Sequence, residues 1–375
     1  MKIGLFGGTF DPVHDEHVKI VTTAIAELNL DKVIVLPAYV SPFKDREDTS
    51  SEEDRLNMVR LAFDGIERVE VSDYEIKKAA VSYTSETVTY FKKLYKKDDL
   101  YFIMGEDSLK TFRKWNRPDV IVKNAEIVVC GRYGSYVDFD AEQNYFDLHY
   151  GKKFIKTDYE GSSVSSTKVR MYSRLNIPLG GMVPEKVGKY IKEKNLYGVN
   201  DYAEYLRSVL TEKRLIHTAN VVTAALIKGK ELKLDSEKVE LAATLHDHAK
   251  YLDPENYKNF RYKGIPQQVV HAYLGAYLAE TELGITDRDV LDAIKYHTTA
   301  KAGMTDLQKL IFTADMIEDG RDYDGVERLR ELFYTEALDV SFKACLKEEC
   351  EHLAAKGYEL FVETLNAAKY YLKNK

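Results

Sequence analysis

The sequence predicts an α/β domain built on a doubly wound parallel sheet, followed by an all-α domain. Three observations carry that expectation. Up to about residue 195, short apolar runs alternate with helical patterns, and after Asn200 no convincing strand pattern appears. At the N-terminus a strand pattern, a Gly-rich turn and an amphipathic helix follow one another directly. At 375 residues the chain is long for one domain, and two is the natural expectation. Strand–helix alternation puts helices on both faces of a parallel sheet, with ligands at the carboxyl ends of the strands.

The first strand pattern covers residues 3–6 and runs into Gly7-Gly8-Thr9-Phe10-Asp11-Pro12-Val13-His14-Asp15-Glu16-His17. Apolar residues then recur three or four apart at Val18, Val21, Ile25 and Leu28, the spacing of one helix face. Two glycines let the backbone approach an anion closely. The helix start adds unpaired N–H groups and a positive dipole end. His14 and His17 are about one turn apart, so both imidazoles can address the same side. Each piece taken alone is also explained by a structural glycine turn with two surface histidines; the ordered combination favours a phosphate site.

Further strands are expected at 32–37, 100–104 and 126–130, with helices at 51–63 and 84–95. The acidic run 47–54 reads as a loop leading into a helix capped by Ser50 or Ser51. Later, Gly161-Ser162-Ser163-Val164-Ser165-Ser166-Thr167-Lys168-Val169-Arg170 places a cap at Ser165 or Ser166 and a cation one turn on. That makes a second candidate phosphate cradle, although a Ser-rich loop and a capped helix would account for this segment by itself. The polar stretch 194–200 divides a first domain, 1–197, from a second, 200–375. Helical windows in the second fall at 201–228, 236–249, 267–283, 287–298, 304–317 and from about 338.

Composition narrows the function classes. Acidic residues outnumber basic ones, 61 to 54, for a net charge of −7. Such a chain has no global attraction for nucleic acid or acidic membranes, and any anionic substrate must be held by local basic groups. Cys130, Cys345 and Cys350 form no CxxC pair and leave an odd count, as expected for thiols in a reducing compartment. With no signal-peptide pattern and no apolar run of spanning length, a cytoplasmic location is expected.

In the second half, His217, His246-Asp247, His271, His297 and Asp315 form an ordered series, H…HD…H…H…D, each inside or at the end of an expected helix. Imidazoles and carboxylates without thiolate suit Fe, Mn or a similar metal better than a structural zinc site. A carboxylate among so many ligands could bridge two metals and generate a hydroxide for attack on phosphorus. A helical bundle with satisfied core histidines is the alternative. His248 and His352 have no such context and read as surface residues.

The first half resembles the adenylyl- and cytidylyltransferases with an HxGH signature, and its GGTFDPVH form is similar to nicotinate-mononucleotide adenylyltransferases. The chain departs from them in carrying Glu16 where Gly is usual. The resemblance implies a Rossmann-like nucleotidylyltransferase fold and transfer of AMP from ATP, carried by Mg²⁺, to nicotinate mononucleotide. It implies that Gly7, Gly8, Thr9 and Phe10 shape the nucleotide site, and that His14 and His17 meet the α-phosphate. Ser165-Ser166-Thr167-Lys168-Val169-Arg170 matches the family's SSTxIR element for the β- and γ-phosphates, with Val for Ile. Lys44 resembles its loop lysine. Ser82-Tyr83-Thr84 resembles its SYT element for the pyridine carboxylate, and Gly105, Asp107 and Trp115 its GxD…W segment, with the indole on the pyridine ring. Arg132 would meet phosphate or ribose. A phosphopantetheine-like acceptor is the rival, although that group usually opens its motif with Thr where this chain has His14.

The second half resembles the HD phosphohydrolases, most closely a bacterial diadenosine-tetraphosphate hydrolase branch. By that resemblance His217, His246, Asp247 and Asp315 hold one metal, expected to be iron. His271 and His297, with Asp247 bridging, hold another, while Lys250 and Arg321 meet the polyphosphate. The implied substrate is a dinucleoside polyphosphate. A dNTPase, a cyclic-dinucleotide phosphodiesterase and a nucleotide-sensing module stay open, as does a homo-oligomer.

Overall fold

The computed structural model describes residues 1–42, 49–134 and 136–373, so Lys44 and the acidic Glu47 and Asp48 lie outside the described residues. Six parallel strands form one sheet: β1 (Lys2–Gly8), β2 (Lys32–Pro37), β3 (Val69–Val71), β4 (Asp99–Gly105), β5 (Glu126–Cys130) and β6 (Ile155–Lys156). Their order is β3-β2-β1-β4-β5-β6. β1 is central because both of its faces are apolar: Ile3, Leu5 and Phe6 are all buried. The winding reverses between β1 and β4, which opens a crevice at their carboxyl ends where such sheets bind ligands.

The two edge strands escape a periodicity reading. β3 is three residues and β6 is two, none of them buried, too short to display a period. The expected helices over 51–63 and 84–95 appear as Glu52–Phe63 and Thr84–Leu94. Ser51, rather than Ser50, caps the first, accepting from the Asp54 N–H at 3.1 Å. Under the sheet, Phe102, Phe112, Phe146 and Phe154 pack with strand residues into one core, against which Trp115 is half-buried.

The chain forms two compact units, Met1–Ser173 with Pro178–Gly198, and Arg174–Ile177 with Val199 onward. The short piece Arg174–Ile177 belongs with the second unit because Arg174 Nη2 pairs with Glu240 Oε1 at 2.9 Å. The second unit is built of helices and their connections, with no strand among its described residues. The window 201–228 is two helices, Ala203–Val209 and Glu212–Glu231, because Thr211 caps a new start by accepting from the Arg214 N–H. The C-terminal tail is likewise two helices, Leu338–Ala355 and Val362–Tyr371, and Val326–Thr335 adds one more. Among the described residues no helix is long and apolar enough to cross a membrane.

Candidate active sites

In the first unit a cavity of about 540 Å³ lies at the carboxyl end of the sheet, floored by Gly7, Gly8, Thr9 and Phe10. Gly8 permits the turn to close on itself, since a Cβ there would sit 2.9 Å from the Phe10 ring. The turn is braced from below by Arg55, only 1% exposed. Its guanidinium donates to the Thr9, Ala38 and Tyr39 carbonyls at 2.8, 2.6 and 2.8 Å. The sequence offers no signal for this role, since Arg55 looks like any polar residue in an acidic helical turn.

His14 is the N-cap of the helix Asp15–Leu28, and His17 stacks on it with ring centroids 3.7 Å apart. The His14 N–H donates to His17 Nδ1 at 3.1 Å. That bond places the proton of a neutral His17 ring on Nε2, making Nε2 a donor. His14 is buried, and its Nδ1 has no hydrogen-bond partner among the described residues. Burial, with Arg132 nearby, pushes the His14 imidazole down to about 3, so it is neutral at physiological pH.

Ser165 caps the helix Ser166–Arg174, accepting from the Lys168 N–H at 3.1 Å. Ser166 Oγ donates back to the Pro12 carbonyl at 2.9 Å, so the two candidate cradles meet. Ser165, Ser166 and Thr167 line the cavity. Arg170 stands behind them, donating to the Asp11 carbonyl at 2.6 Å and to Thr167 Oγ1 at 3.3 Å.

Ser82, Tyr83, Thr84, Gly105, Asp107, Trp115 and Arg132 also line the cavity. Ser82 Oγ accepts the Tyr39 N–H at 3.0 Å. Asp107 and Arg132 form an ion pair. Trp115 packs edge-on to Phe102, and its Nε1–H donates to Thr111 Oγ1 at 3.3 Å. Two buried carboxylates were not singled out from the sequence. Glu75 accepts Thr87 Oγ1 at 2.5 Å, and burial pushes its carboxyl up. Glu106 accepts the Arg132 and Val137 N–H groups, both at 3.1 Å, and so fixes the chain leaving β5.

The second unit gathers the whole H…HD…H…H…D series. Asp247 is 2% exposed and uses its two oxygens differently. Oδ2 lies 3.8 Å from both His217 Nε2 and His246 Nε2. Oδ1 lies 3.2 Å from His271 Nε2 and 3.5 Å from His297 Nε2. Asp315 Oδ1 joins the first group, 3.0 Å from His217 Nε2. Oδ1 of Asp247 is buried without an aligned hydrogen bond.

Three of the rings are held by their other nitrogen. His246 Nδ1 and His297 Nδ1 donate to the Ala243 and Ile294 carbonyls, each at 2.7 Å. His217 Nδ1 donates to Glu318 Oε1 at 3.0 Å. When neutral, rings tied this way present bare Nε2 lone pairs inward, the arrangement that orients metal-binding histidines. His217 Nε2 and His246 Nε2 face each other at 3.2 Å, a contact that a shared cation relieves. Burial opposes charge on His217, yet Asp315 and Glu318 push its pKa up. His217, His246 and Asp315, and again His246, Asp247 and His297, are close enough to share an ion. The donor set therefore fits a divalent metal site.

Cations surround this centre. Lys250 Nζ is 3.8 Å from Asp247 Oδ1, Arg214 Nη1 is 2.7 Å from Asp247 Oδ2, and Arg321 pairs with Asp315. Arg214 was not expected, since it precedes the histidine series. Glu318 was not expected either; besides His217 it accepts the Asn220 amide at 2.8 Å and the Gly320 N–H at 2.6 Å. His248 corrects an expectation. It is fully buried, with Nδ1 2.9 Å from Tyr205 Oη and Nε2 donating to the Gly275 carbonyl at 2.9 Å. Packing between distant helices decides this, and burial pushes its ring down to about 4. His352 is exposed.

Comparison with known proteins agrees with this division. Residues 5–172 match the cytidylyltransferase-like family and residues 214–322 match the HD domain. A probable nicotinate-nucleotide adenylyltransferase of Clostridium tetani is 37% identical over 199 residues, covering 52% of this chain and 98% of that protein. A probable nicotinate-nucleotide adenylyltransferase/Ap4A hydrolase of Mycoplasma genitalium is 29% identical over 326 residues, 85% of this chain and 88% of that one. A solved Clostridium acetobutylicum structure, described as a predicted HD superfamily hydrolase involved in NAD metabolism, is 31% identical. It aligns with 46% of this chain and 95% of its own at a TM-score of 0.43. The chain thus belongs to the nicotinate-nucleotide adenylyltransferase family, in the form that carries an HD domain on the same polypeptide.

Proposed function

We propose that the chain is a two-activity enzyme acting on nucleosides joined through phosphates. The first unit joins nicotinate mononucleotide to ATP, giving deamido-NAD and pyrophosphate. The second hydrolyses a dinucleoside polyphosphate, diadenosine tetraphosphate to two ADP. The observation that carries the first reading is the His14–His17 pair, stacked where the Gly7–Phe10 turn meets the Ser165–Thr167 cradle. The observation that carries the second is Asp247, whose two oxygens face two sets of histidines.

In the first unit the mononucleotide phosphate is already ionised near neutral pH, so no base is needed and catalysis is positioning plus charge stabilisation. A phosphate oxygen attacks the α-phosphorus, and the α–β bridging oxygen leaves with pyrophosphate. His14 and His17 donate to the α-phosphate as charge builds there. Ser165, Ser166 and Thr167 hold the β- and γ-phosphates, with Arg170 adding charge from behind; Lys44, outside the described residues, is the further cation that the family resemblance assigns. Mg²⁺ enters with ATP. Trp115, Ser82, Tyr83 and Thr84 receive the pyridine ring and its carboxylate, and Asp107 and Arg132 border the ribose and phosphate.

In the second unit His217, His246, Asp247 and Asp315 would hold one metal, and His271 and His297 another across Asp247; the imidazole–carboxylate set suits iron. Bound there, the metal would supply a Lewis acid and a hydroxide nucleophile at neutral pH. Lys250, Arg214 and Arg321 neutralise the polyphosphate chain. Three free cysteines and the nature of both substrates fit work in the cytoplasm.

The test is a substrate panel on the purified protein with its metal content measured. Deamido-NAD should form from ATP and nicotinate mononucleotide, and ADP from diadenosine tetraphosphate. Preference for pantetheine phosphate as acceptor would overturn the first reading. Hydrolysis of dNTPs or cyclic dinucleotides in place of diadenosine tetraphosphate, or nucleotide binding without turnover, would overturn the second.

A further inference from the structure

We infer that Glu16 is a positioning residue that locks the two phosphate-binding turns of the first unit together, so that the Ser-rich turn is in place before ATP binds. The inference rests on the adenylyltransferase reading of that unit and adds a residue to it.

Glu16 is the second residue of the helix Asp15–Leu28, where the helix dipole favours a carboxylate. It lines the cavity yet is only 5% exposed. A buried carboxylate is costly unless its oxygens are bonded, and here both are. Oε1 accepts Lys19 Nζ at 3.0 Å from the next helical turn. Oε2 accepts the Ser162 N–H at 2.6 Å and the Tyr159 hydroxyl. The last two donors lie more than 140 residues away in sequence, in the segment that opens the Ser-rich turn. Burial alone would raise the Glu16 carboxyl; the bonds from Tyr159, Lys19 and Ser162 hold it below its ordinary range.

The same segment is gripped on its other side. A Cβ at Gly131, just past β5, would sit 2.3 Å from the Tyr159 carbonyl oxygen, so the two backbones are in direct contact. Downstream, Ser165 caps its helix and Ser166 returns to the Pro12 carbonyl. The result is a closed ring: first turn, helix start, Glu16, Ser162, Ser166, and back to the first turn. Glu16 is also the chain neighbour of His17. It therefore sets where the Ser165–Thr167 donors stand relative to the histidines, a separation that the phosphate chain of ATP has to span. On the same reading nicotinate mononucleotide is received by Trp115 and Ser82–Thr84, none of which is among the hydrogen-bond partners of Glu16, which are Lys19, Tyr159 and Ser162.

The experiment compares Glu16→Ala, Glu16→Gln and Tyr159→Phe in the full-length protein, with kinetics for both substrates and ATP binding by calorimetry. Losing a charge-assisted bond pair should raise the KM and Kd for ATP about tenfold or more in Glu16→Ala, with the KM for nicotinate mononucleotide within about twofold of wild type. Glu16→Gln keeps an oxygen that can accept Ser162 and Tyr159, so it should recover most of the loss. Unchanged ATP affinity in Glu16→Ala overturns the inference. So does an equal rise in both KM values, or a Gln variant as impaired as the Ala variant. If Glu16→Ala does not fold, Tyr159→Phe decides: ATP affinity should fall about threefold with the mononucleotide KM unmoved, and an unmoved ATP affinity overturns the inference. Wild-type protein that binds ATP but transfers nothing to nicotinate mononucleotide would overturn the parent reading instead, and calorimetry on the variants would still test Glu16.

Discussion

Histidine does opposite work in the two units, and the difference lies in whether the surrounding chain makes the ring's Nδ1 an acceptor or a donor. In the first unit His17 Nδ1 accepts a backbone N–H, which leaves the proton on Nε2 and makes the ring a donor suited to phosphate oxygens. In the second, His246 and His297 donate Nδ1–H to carbonyls three residues back, and His217 donates to Glu318. Those rings turn bare nitrogens toward a carboxylate pair, which suits a cation. One unit assembles donors for an anion that is already charged. The other assembles lone pairs and anionic oxygens for metals, then rings them with Lys250, Arg214 and Arg321.

The strongest test of this contrast is Asp247→Ala. It removes the group facing both histidine sets, so bound metal and polyphosphate hydrolysis should both fall below detection while adenylyl transfer persists. Hydrolysis surviving in metal-free protein would break the metal side of the comparison. Loss of both activities in a folded protein would make the second unit a regulator of the first.

His17→Ala is the mirror experiment. Removing a donor that acts on charge developing in the transition state should lower transfer by ~10²–10³, with His14→Ala somewhat milder. Polyphosphate hydrolysis and metal content should not move. Near-native transfer in both variants would refute the donor assignment.

Glu318→Ala asks whether the outer bond matters to the metal. Loss of the carboxylate that orients His217 should weaken metal binding ~10–100-fold, read by titration with Mn²⁺ or Fe²⁺. An unaltered titration would show that His217 holds its orientation without Glu318.

The smallest effect concerns pH. His14 titrates near 3 in the folded protein against 6.5 for an ordinary imidazole. As pH falls the unfolded chain takes up this proton first, so the stabilising contribution is full above about 6.5 and is lost progressively toward about 3. His14→Asn should flatten that acid limb in thermal unfolding. Transfer activity should show no His14 ionisation between about pH 5 and 8; an NMR titration of His14 with a midpoint near 6 would contradict this.

Local pattern alone determined a good deal about this protein. Apolar spacing after Gly8 marked the first helix, alternation marked the central strands β2, β4 and β5, and the loss of strand signal after Asn200 marked the helical unit. The turn 7–17 was legible because its spacing follows from turn and helix geometry, and the histidine–aspartate series because ligand-type residues recur in order and resemble a known family's motif. Residues whose role depends on distant partners were not. The tertiary structure alone decided that His248 is buried between Tyr205 and Gly275, that Arg55 braces the glycine turn, and that Glu16 reaches Ser162 across the fold. It also decided whether each histidine presents an N–H or a lone pair, and how Asp247 divides its oxygens. Periodicity reports which face of an element is apolar. It carries no record of the donor or acceptor that a side chain meets many residues away, and that partner sets its protonation, its orientation and so its chemistry.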